Sequence, residues 1–283
     1  MCIRDSDNIY YAAPISHGAG LYNFIFVRNG CKHIFPNEGG FSELDVFNAA
    51  KHFKALNFFA APTILKRLTH KAKEVQYFGE GIKTIICGGA PLYAVDYLEA
   101  ENQFGSVVTQ IYGQGESPMT ITSLKMSLLK SQKAAEKEKY ITTVGSAQSC
   151  VDVRVVGNDM QNLPIGQSGE IIVKGPTVMQ GYWRNSEATD NTLIDGWLKT
   201  GDIGFLNEQG NLTLTDRSKD VIISGGSNIY PREVEEVLLK HPEIYEVSVV
   251  GKKDDEWGEI VTAHIVTKST QPLSEAELKM WCK

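Results

Sequence analysis

Residues 82–116 read IKTIICGGAPLYAVDYLEAENQFGSVVTQIYGQGE, and their order decides the fold class. Two short apolar runs, IKTIIC and VVTQIY, carry the β-branched residues that strands favour, and LYAVDYLEAENQF between them has the spacing of a helix. Glycines stand just past both runs, GGAP after IIC and GQGE after QIY. Ligand sites of open α/β sheets usually lie at such strand ends. The alternation continues outward: DNIYYAAP (7–14) and LNFFAAP (56–62) read as strands, FSELDVFNAAKHF (41–53) and TILKRLTHKAKEV (63–75) as helices. Residues 7 to about 124 are therefore expected to form a layered α/β sheet.

From about 141 to 215 the text changes. VDVRVVG, GEIIVKG, WLKTGDIGFLN and NLTLTDR are short strands punctuated by Gly, Asn and Asp, which predicts a β-rich subdomain. After Asp216, DVIISGGSNIY reads as a hairpin, followed by a helix PREVEEVLLKHPE and strands YEVSVVG and EIVTAHIV, a small α+β unit. Pro231 in the first turn, with Glu233, Glu235 and Glu236 behind it, marks that helix start. The domain boundary is placed at Asp216 to Asp220. Residues 125–140, KMSLLKSQKAAEKEKY, read as a solvated surface helix or loop and receive no function.

Composition excludes several classes. With 283 residues, 42% hydrophobic and 22% charged, the chain has globular make-up and is long enough for more than one domain. Its longest apolar run, LNFFAAPTIL (56–65), is too short for a membrane span and contains a proline, and no signal peptide precedes it. A cytoplasmic protein is expected. Cys2, Cys31, Cys87, Cys150 and Cys282 form no close pair, so reduced structural thiols are the expectation. A net charge of -6 gives no general attraction to nucleic acid or anionic lipid. Any anionic ligand must be held by local groups.

Some motifs are declined. GEGIKT (79–84) lacks phosphate-loop spacing and reads as a surface turn into a strand; HGAG (17–20) lacks the third glycine of a dinucleotide fingerprint; Asn211-Leu-Thr213 is a chance sequon. Other clusters have plain readings beside chemical ones. Tyr112 could stack on a base and Glu116 could bind Mg²⁺, or they are a buried tyrosine and a surface glutamate. Asp202, between glycines, could accept bonds from ribose hydroxyls or simply serve a turn. Arg217 and Lys219 read as linker charges, and His17 as a hydrogen-bonded core histidine after a strand.

Taken in order, PISHGAG, GGAPL, YGQGE, GEIIVKGPTVMQGYW, WLKTGDIG and DRSKDVIISGGSNIYPREVE give the chain a specific character. It resembles the adenylate-forming superfamily of acyl-CoA synthetases, luciferases and peptide-synthetase adenylation domains, from about Asp7 to the last residue. SGGSNIYPREVE and YGQGESPMTIT look most like acyl-CoA synthetases acting on fatty or related carboxylic acids. The resemblance implies an α/β fold: a layered N-terminal adenylation domain (7–216) with its β-rich subdomain, a hinge at 217–220 and a small α+β C-terminal domain (221–283), the two domains each partial.

It also implies site roles. Gly88, Gly89, Ala90 and Pro91 match the loop along the adenine, Gln110 the side chain that reads its amino group, and Tyr112 the ring that stacks on it. Glu116 matches the Mg²⁺ carboxylate, Asp202 the ribose clamp, and Arg217 a second ribose-side contact. His17 matches the residue at the mouth of the acyl pocket, whose other visible lining candidates are Gly88, Ser117 and Met119. Lys219 matches the hinge about which the C-terminal domain rotates between half-reactions. Gly225 and Gly226 match the border of the pantetheine channel, where only a hydrogen side chain is expected to leave room. The partners implied are a small carboxylic acid, ATP and CoA, with no nucleic acid.

The departures from the pattern carry expectations too. The superfamily's phosphate loop falls before residue 1 and its catalytic lysine after residue 283, which predicts little or no adenylation by the 283-residue polypeptide itself. Gly115 stands where many members carry a hydroxyl. Alternatives left open are a carrier-protein adenylation domain and a non-catalytic nucleotide-binding fragment. The opening MCIRDS matches the translation of ATG TGT ATA AGA GAC AG, a transposon end used in sequencing libraries. Residues 1–5 are expected to be adapter and Ser6 a hybrid codon, which would remove Cys2 from the count.

Overall fold

The computed structural model describes residues 3–37, 40–90, 92–126, 129, 134–269 and 273–282. The chain up to Asp152, with Lys174–Thr189 and Gly210–Leu212, forms one compact unit, and Val153–Val173, Asp190–Gln209 and Thr213 onward form a second.

The first unit is built on a sheet of strands β1 (Asn8–Tyr10), β2 (Lys32–Ile34), β3 (Leu56–Ala60), β4 (Ile82–Cys87), β5 (Val108–Gln114), β6 (Ser117–Leu124) and β7 (Ser146–Ala147). Their spatial order is β2-β1-β3-β4-β5-β6-β7. The first five are parallel, whereas β6 and β7 run antiparallel. Helix α1 (Asn23–Arg28) lies between β1 and β2 in the chain, and α2 (Glu43–Phe53), α3 (Pro62–Glu74) and α4 (Ala94–Phe104) link β2 through β5. Strands β1, β3 and β4 are buried on both faces, as the centre of a parallel sheet requires, while β2 and β5 are only partly buried. Ile9 and Tyr11 pack with Phe26 on one side, while Tyr10 joins the main core of Phe58, Leu65, Ile85 and Tyr97 on the other. The α2 start is capped by Ser42, whose side chain accepts from the Asp45 N–H.

Every strand and helix expected between 7 and 116 is present. GEGIKT is a turn into β4, with Gly79 and Gly81 at positive φ. Strands β2 and β6 and helix α1 were not foreseen. The surface reading of 125–140 fits the exposed Lys125 and Lys139 but is corrected for Leu129, which is buried in the main core with Ile141 just beyond the segment; α5 (Ala134–Ile141) packs against α4, and Lys137 pairs with Glu101. Residues 127–128 and 130–133 lie outside the described residues.

In the second unit, β8 (Asp152–Val156), β9 (Gly169–Lys174), β10 (Leu193–Ile194) and β11 (Trp197–Leu206) form a sheet ordered β10-β11-β9-β8, with β12 (Leu212–Arg217) paired to β11. Helix α6 (Ser186–Thr192), which begins in the first unit and ends in the second, precedes β10 and was not foreseen. The hairpin of β13 (Ile222–Ser224) and β14 (Ser227–Ile229) joins β15 (Ile244–Asp254) and β16 (Gly258–Thr267) in the order β14-β13-β16-β15. Helix α7 (Pro231–Leu238) packs on β15, and α8 (Glu275–Trp281) follows with a Ser274–Glu277 capping box. Helix α7 stops before the expected end at 243. The amides of Lys240 and His241 instead donate to Val237 and Leu238, the tighter bonds that close a helix.

Candidate active site

The strand order β2-β1-β3-β4-β5 reverses direction between β1 and β3, and ligands of such sheets bind at carboxyl ends beside the reversal. At those ends of the first unit stand most of the residues singled out by sequence. Cys87, the last of β4, is in register with Gln110 on β5. The loop Gly88–Ala90 therefore leaves the sheet beside Gln110 and Tyr112. Gly88 is buried, and a Cβ there would lie 2.6 Å from Ile111 Cδ1 and 2.9 Å from its carbonyl oxygen, so only glycine fits. Gly89 has φ +86 and, with Ala90, is exposed. Pro91 lies outside the described residues. The Gln110 side-chain amide donates to the Ile141 carbonyl at 3.0 Å, which fixes its plane in a 4% exposed position. Tyr112, two residues on and so on the same strand face, is buried opposite Thr122. Burial holds the Cys87 thiol up at about 12, so it stays protonated beside the loop.

The β5–β6 hairpin ends at Gly115 and Glu116. Space around Gly115 is open, with no atom within 4 Å of where a Cβ would stand. Glu116 is half-buried and bonded on two sides. Its carbonyl accepts from the Met179 N–H at 2.8 Å, and its Oε1 accepts from the Tyr182 hydroxyl at 2.7 Å. Among the described residues no group of three or more His, Cys, Asp and Glu could hold a metal. A lone carboxylate is nonetheless a donor set that suits Mg²⁺ shared with a nucleotide's phosphates, since Mg²⁺ keeps waters and takes few protein ligands.

His17 precedes a 3₁₀ turn, Gly18–Tyr22, and is exposed. The core reading of this histidine is thereby corrected: its segment runs over the carboxyl ends of the sheet. Below it, Ala19, Phe59 and Ile86 form an apolar cluster with Tyr22, Ile111 and Met119 against it. Tyr22 and Phe59 stack at 6.1 Å. Met119 has φ +56, a strained value for a side-chain-bearing residue, and its Cε lies 2.5 Å from where a Gly18 Cβ would stand. An apolar wall beside an exposed imidazole suits the tail and head of a carboxylic acid.

In the second unit, Asp202 lies on β11 at a bulge. Pairing with β9 shifts between Lys199 and Ile203, and Gly201 takes φ +71. The Thr200 hydroxyl accepts from the Asp202 N–H at 3.1 Å and donates to the Ile171 carbonyl at 2.7 Å, which sets the bulge. Arg217 Nε approaches Asp202 Oδ1 at 3.6 Å, so the two expected ribose contacts are brought together. Lys219 is exposed in the following turn, closed by the Asp220 N–H donating to the Arg217 carbonyl. Asp216 accepts from the amides of Arg217 and Arg232, yet burial raises its carboxyl above the ordinary range.

Gly225 and Gly226 form the tip of the β13–β14 hairpin with φ +55 and +82, a turn that itself demands glycine. A Cβ on Gly225 would meet the Trp257 ring at 2.7 Å, but Gly226 has nothing within 4 Å. Within the chain itself, the backbone at φ +82 and not crowding sets the requirement for glycine at Gly226.

Two residues went unassigned in the sequence reading: Tyr182, inside the quoted GYW, and the buried Arg232, inside PREVE, which donates to the Leu214 carbonyl at 3.1 Å. No local pattern marks either, because their partners lie on distant segments of the chain.

A family model described as AMP-binding enzyme matches residues 2–183, and one described as AMP-binding enzyme C-terminal domain matches 233–283. A medium/long-chain fatty-acid–CoA ligase of Mycobacterium tuberculosis is 32% identical over 267 residues, covering 94% of this chain and 45% of its own. The structure of an amide bond synthetase from Marinactinospora thermotolerans superposes with a TM-score of 0.89 at 30% identity, over 98% of this chain and 54% of that one. An o-succinylbenzoate–CoA synthetase from Bacillus subtilis, solved in complex with AMP, gives a TM-score of 0.83 at 32% identity, over 99% and 55%. The chain spans about half the length of the curated relatives it matches.

Proposed function

Because the chain belongs to the AMP-binding enzyme family, we propose that its protein activates a carboxylic acid with ATP and passes the acyl group to CoA. The acid is of fatty or related apolar type, and the setting is the cytoplasm; among the described residues no helix is long and apolar enough to cross a membrane. What supports the reading most is the Cys87–Gln110 register, which puts a glycine loop, an amide and a buried aromatic ring at one sheet end.

A carboxylate is a poor acyl donor because oxide would have to leave. In the first half-reaction its oxygen attacks the α-phosphorus of ATP, the bond to pyrophosphate breaks, and an acyl-adenylate forms. In the second, the CoA thiol attacks the acyl carbon, losing its proton, and AMP leaves with the bonding electrons. Neither step needs a protein nucleophile, so the residues act by positioning and charge. In this reading Gly88–Ala90 and Tyr112 hold the adenine, and Gln110 accepts from its amino group. Asp202 accepts from the ribose hydroxyls beside Arg217. His17 and the cluster around Phe59 receive the acid. Glu116 would hold Mg²⁺, which supplies neutralisation of phosphate charge. Lys219 is the proposed hinge, and Gly225 and Gly226 border the thiol's path.

Calorimetric titration of the 283-residue chain with AMP and with non-hydrolysable sulfamoyl analogues of alkyl and aryl adenylates tests the reading. The analogues are expected to bind more tightly than AMP, and Asp202→Ala to weaken both about tenfold or more, the worth of a charge-assisted bond. A folded chain that binds neither would overturn it.

A further inference from the structure

The segment after β9 is tied to the tip of the β5–β6 hairpin at three points. The Met179 amide donates to the Glu116 carbonyl at 2.8 Å, the Ser117 and Thr177 hydroxyls meet at 3.3 Å, and the Tyr182 hydroxyl donates to Glu116 Oε1 at 2.7 Å. Tyr182 is itself anchored. Its amide donates to Thr189 Oγ1 at 2.9 Å, and that hydroxyl donates to the Asn185 carbonyl at 2.8 Å. Asn185 in turn receives the Ala188 amide on its side chain, at the start of α6. A Cβ on Gly181 would lie 2.9 Å from Thr189 Cγ2, so the chain approaches the helix as closely as glycine allows.

We propose that Tyr182 is a positioning residue for the metal-binding carboxylate. The phenol takes Oε1 and leaves Oε2 of Glu116 to face the phosphates and the cation, a division the two oxygens of a carboxylate permit. Without the phenol, a side chain with several rotatable bonds must be ordered by the cation alone. The inference rests on the reading of Glu116 as the Mg²⁺ carboxylate, and the measurement separates the two.

Manganese binding, with Mn²⁺ as a paramagnetic stand-in for Mg²⁺ and α,β-methylene-ATP as nucleotide, is titrated by electron paramagnetic resonance on the 283-residue chain. The unsubstituted chain, Tyr182→Phe, Glu116→Gln and the double variant are compared, alongside metal-free AMP affinity by calorimetry. Tyr182→Phe is expected to weaken Mn²⁺ about tenfold, as loss of a partner behind a metal ligand does. Metal-free AMP affinity should stay unchanged, and the same substitution should have no further effect in the Glu116→Gln background. If Glu116→Gln weakens Mn²⁺ and Tyr182→Phe does not, the positioning role falls while the carboxylate reading stands. Equal loss of metal-free AMP affinity in Tyr182→Phe would make the bond merely structural and overturn the proposal. Mn²⁺ binding that is unaffected by Glu116→Gln, or absent with nucleotide in the unsubstituted chain, would overturn both.

Discussion

Arg232→Met is the most direct probe of how the C-terminal segment is held. Arg232 is 7% exposed at the start of α7, and its Nη1 donates to the Leu214 carbonyl at 3.1 Å. Its amide donates to Asp216 Oδ2 at 3.3 Å, and its Nη2 stands 3.9 Å from Glu236. Methionine keeps the aliphatic body and the amide bond but removes the guanidinium. The bond from a charged donor to a carbonyl is worth about 1.5–3 kcal/mol. The long pair with Glu236 adds a few tenths at most. A loss of about 2–3 kcal/mol corresponds to a roughly 30- to 150-fold rise in local opening.

These bonds join residue 232 to residues 214–216, on either side of Lys219. On the proposed hinge, rotation of the C-terminal domain has to break them, so Arg232 favours the state in which residue 232 is bonded to residues 214–216. Hydrogen–deuterium exchange reads the effect. Amides of α7 and of its capping residue Leu239, bonded to the Glu235 carbonyl, should exchange faster by that factor, while those of β3 and β4 stay constant. A change below about threefold in α7, or the same acceleration in β3 and β4, would refute the reasoning.

Three further outcomes are expected. In the whole protein, Asp202→Ala abolishes both half-reactions, whereas Lys219→Pro spares acid-dependent pyrophosphate exchange and blocks thioester formation; equal loss of both in the Lys219 variant removes the hinge. Gly226→Ala, at φ +82 with no neighbour within 4 Å, costs about 1–2 kcal/mol of backbone strain, and Gly225→Ala costs more through its clash with Trp257; melting temperatures in the reverse order would contradict the hairpin argument. Asp216 binds its proton more tightly folded than unfolded, so it withdraws stability as pH rises from the usual 3.8 through its raised value. Asp216→Asn should flatten that part of the melting-temperature profile, and an unchanged slope would speak against it.

Strands β1, β3 and β4 were legible because they are largely apolar runs buried on both faces; every residue of Leu56–Ala60 is buried. Strand β2 (Lys32–Ile34) is too short to show an alternation, and β6 carries Pro118, which argues against a strand in sequence. Helix α1, NFIFVR, is too short to show a period and is composed like a strand. The site residues of β4, β5 and β11 were legible through the order of their motifs. The Tyr182–Glu116 bond, across 66 positions, and the Arg232–Leu214 bond arise from tertiary packing alone.

The same contrast decides which substitutions can report on function. Gly88 is pinned by the Ile111 backbone at 2.9 Å and Gly113 by the Met119 amide at 2.4 Å from where a Cβ would stand. A side chain at either position deforms the sheet end before any nucleotide arrives, so lost binding there says nothing about contact. Gln110 is little better, because its amide already holds the Ile141 carbonyl in the core, and replacing it by an apolar residue leaves that acceptor unpaired. Asp202 and Arg217 differ. The bulge that places Asp202 is set by its backbone N–H and the Thr200 hydroxyl, and the arginine side chain is 64% exposed, so those bonds of the bulge do not depend on either side chain. Loss of nucleotide affinity in Asp202→Asn or Arg217→Gln, with the melting temperature held, is therefore the result that bears on chemistry, and equal affinity in either variant would remove that residue from the ribose site.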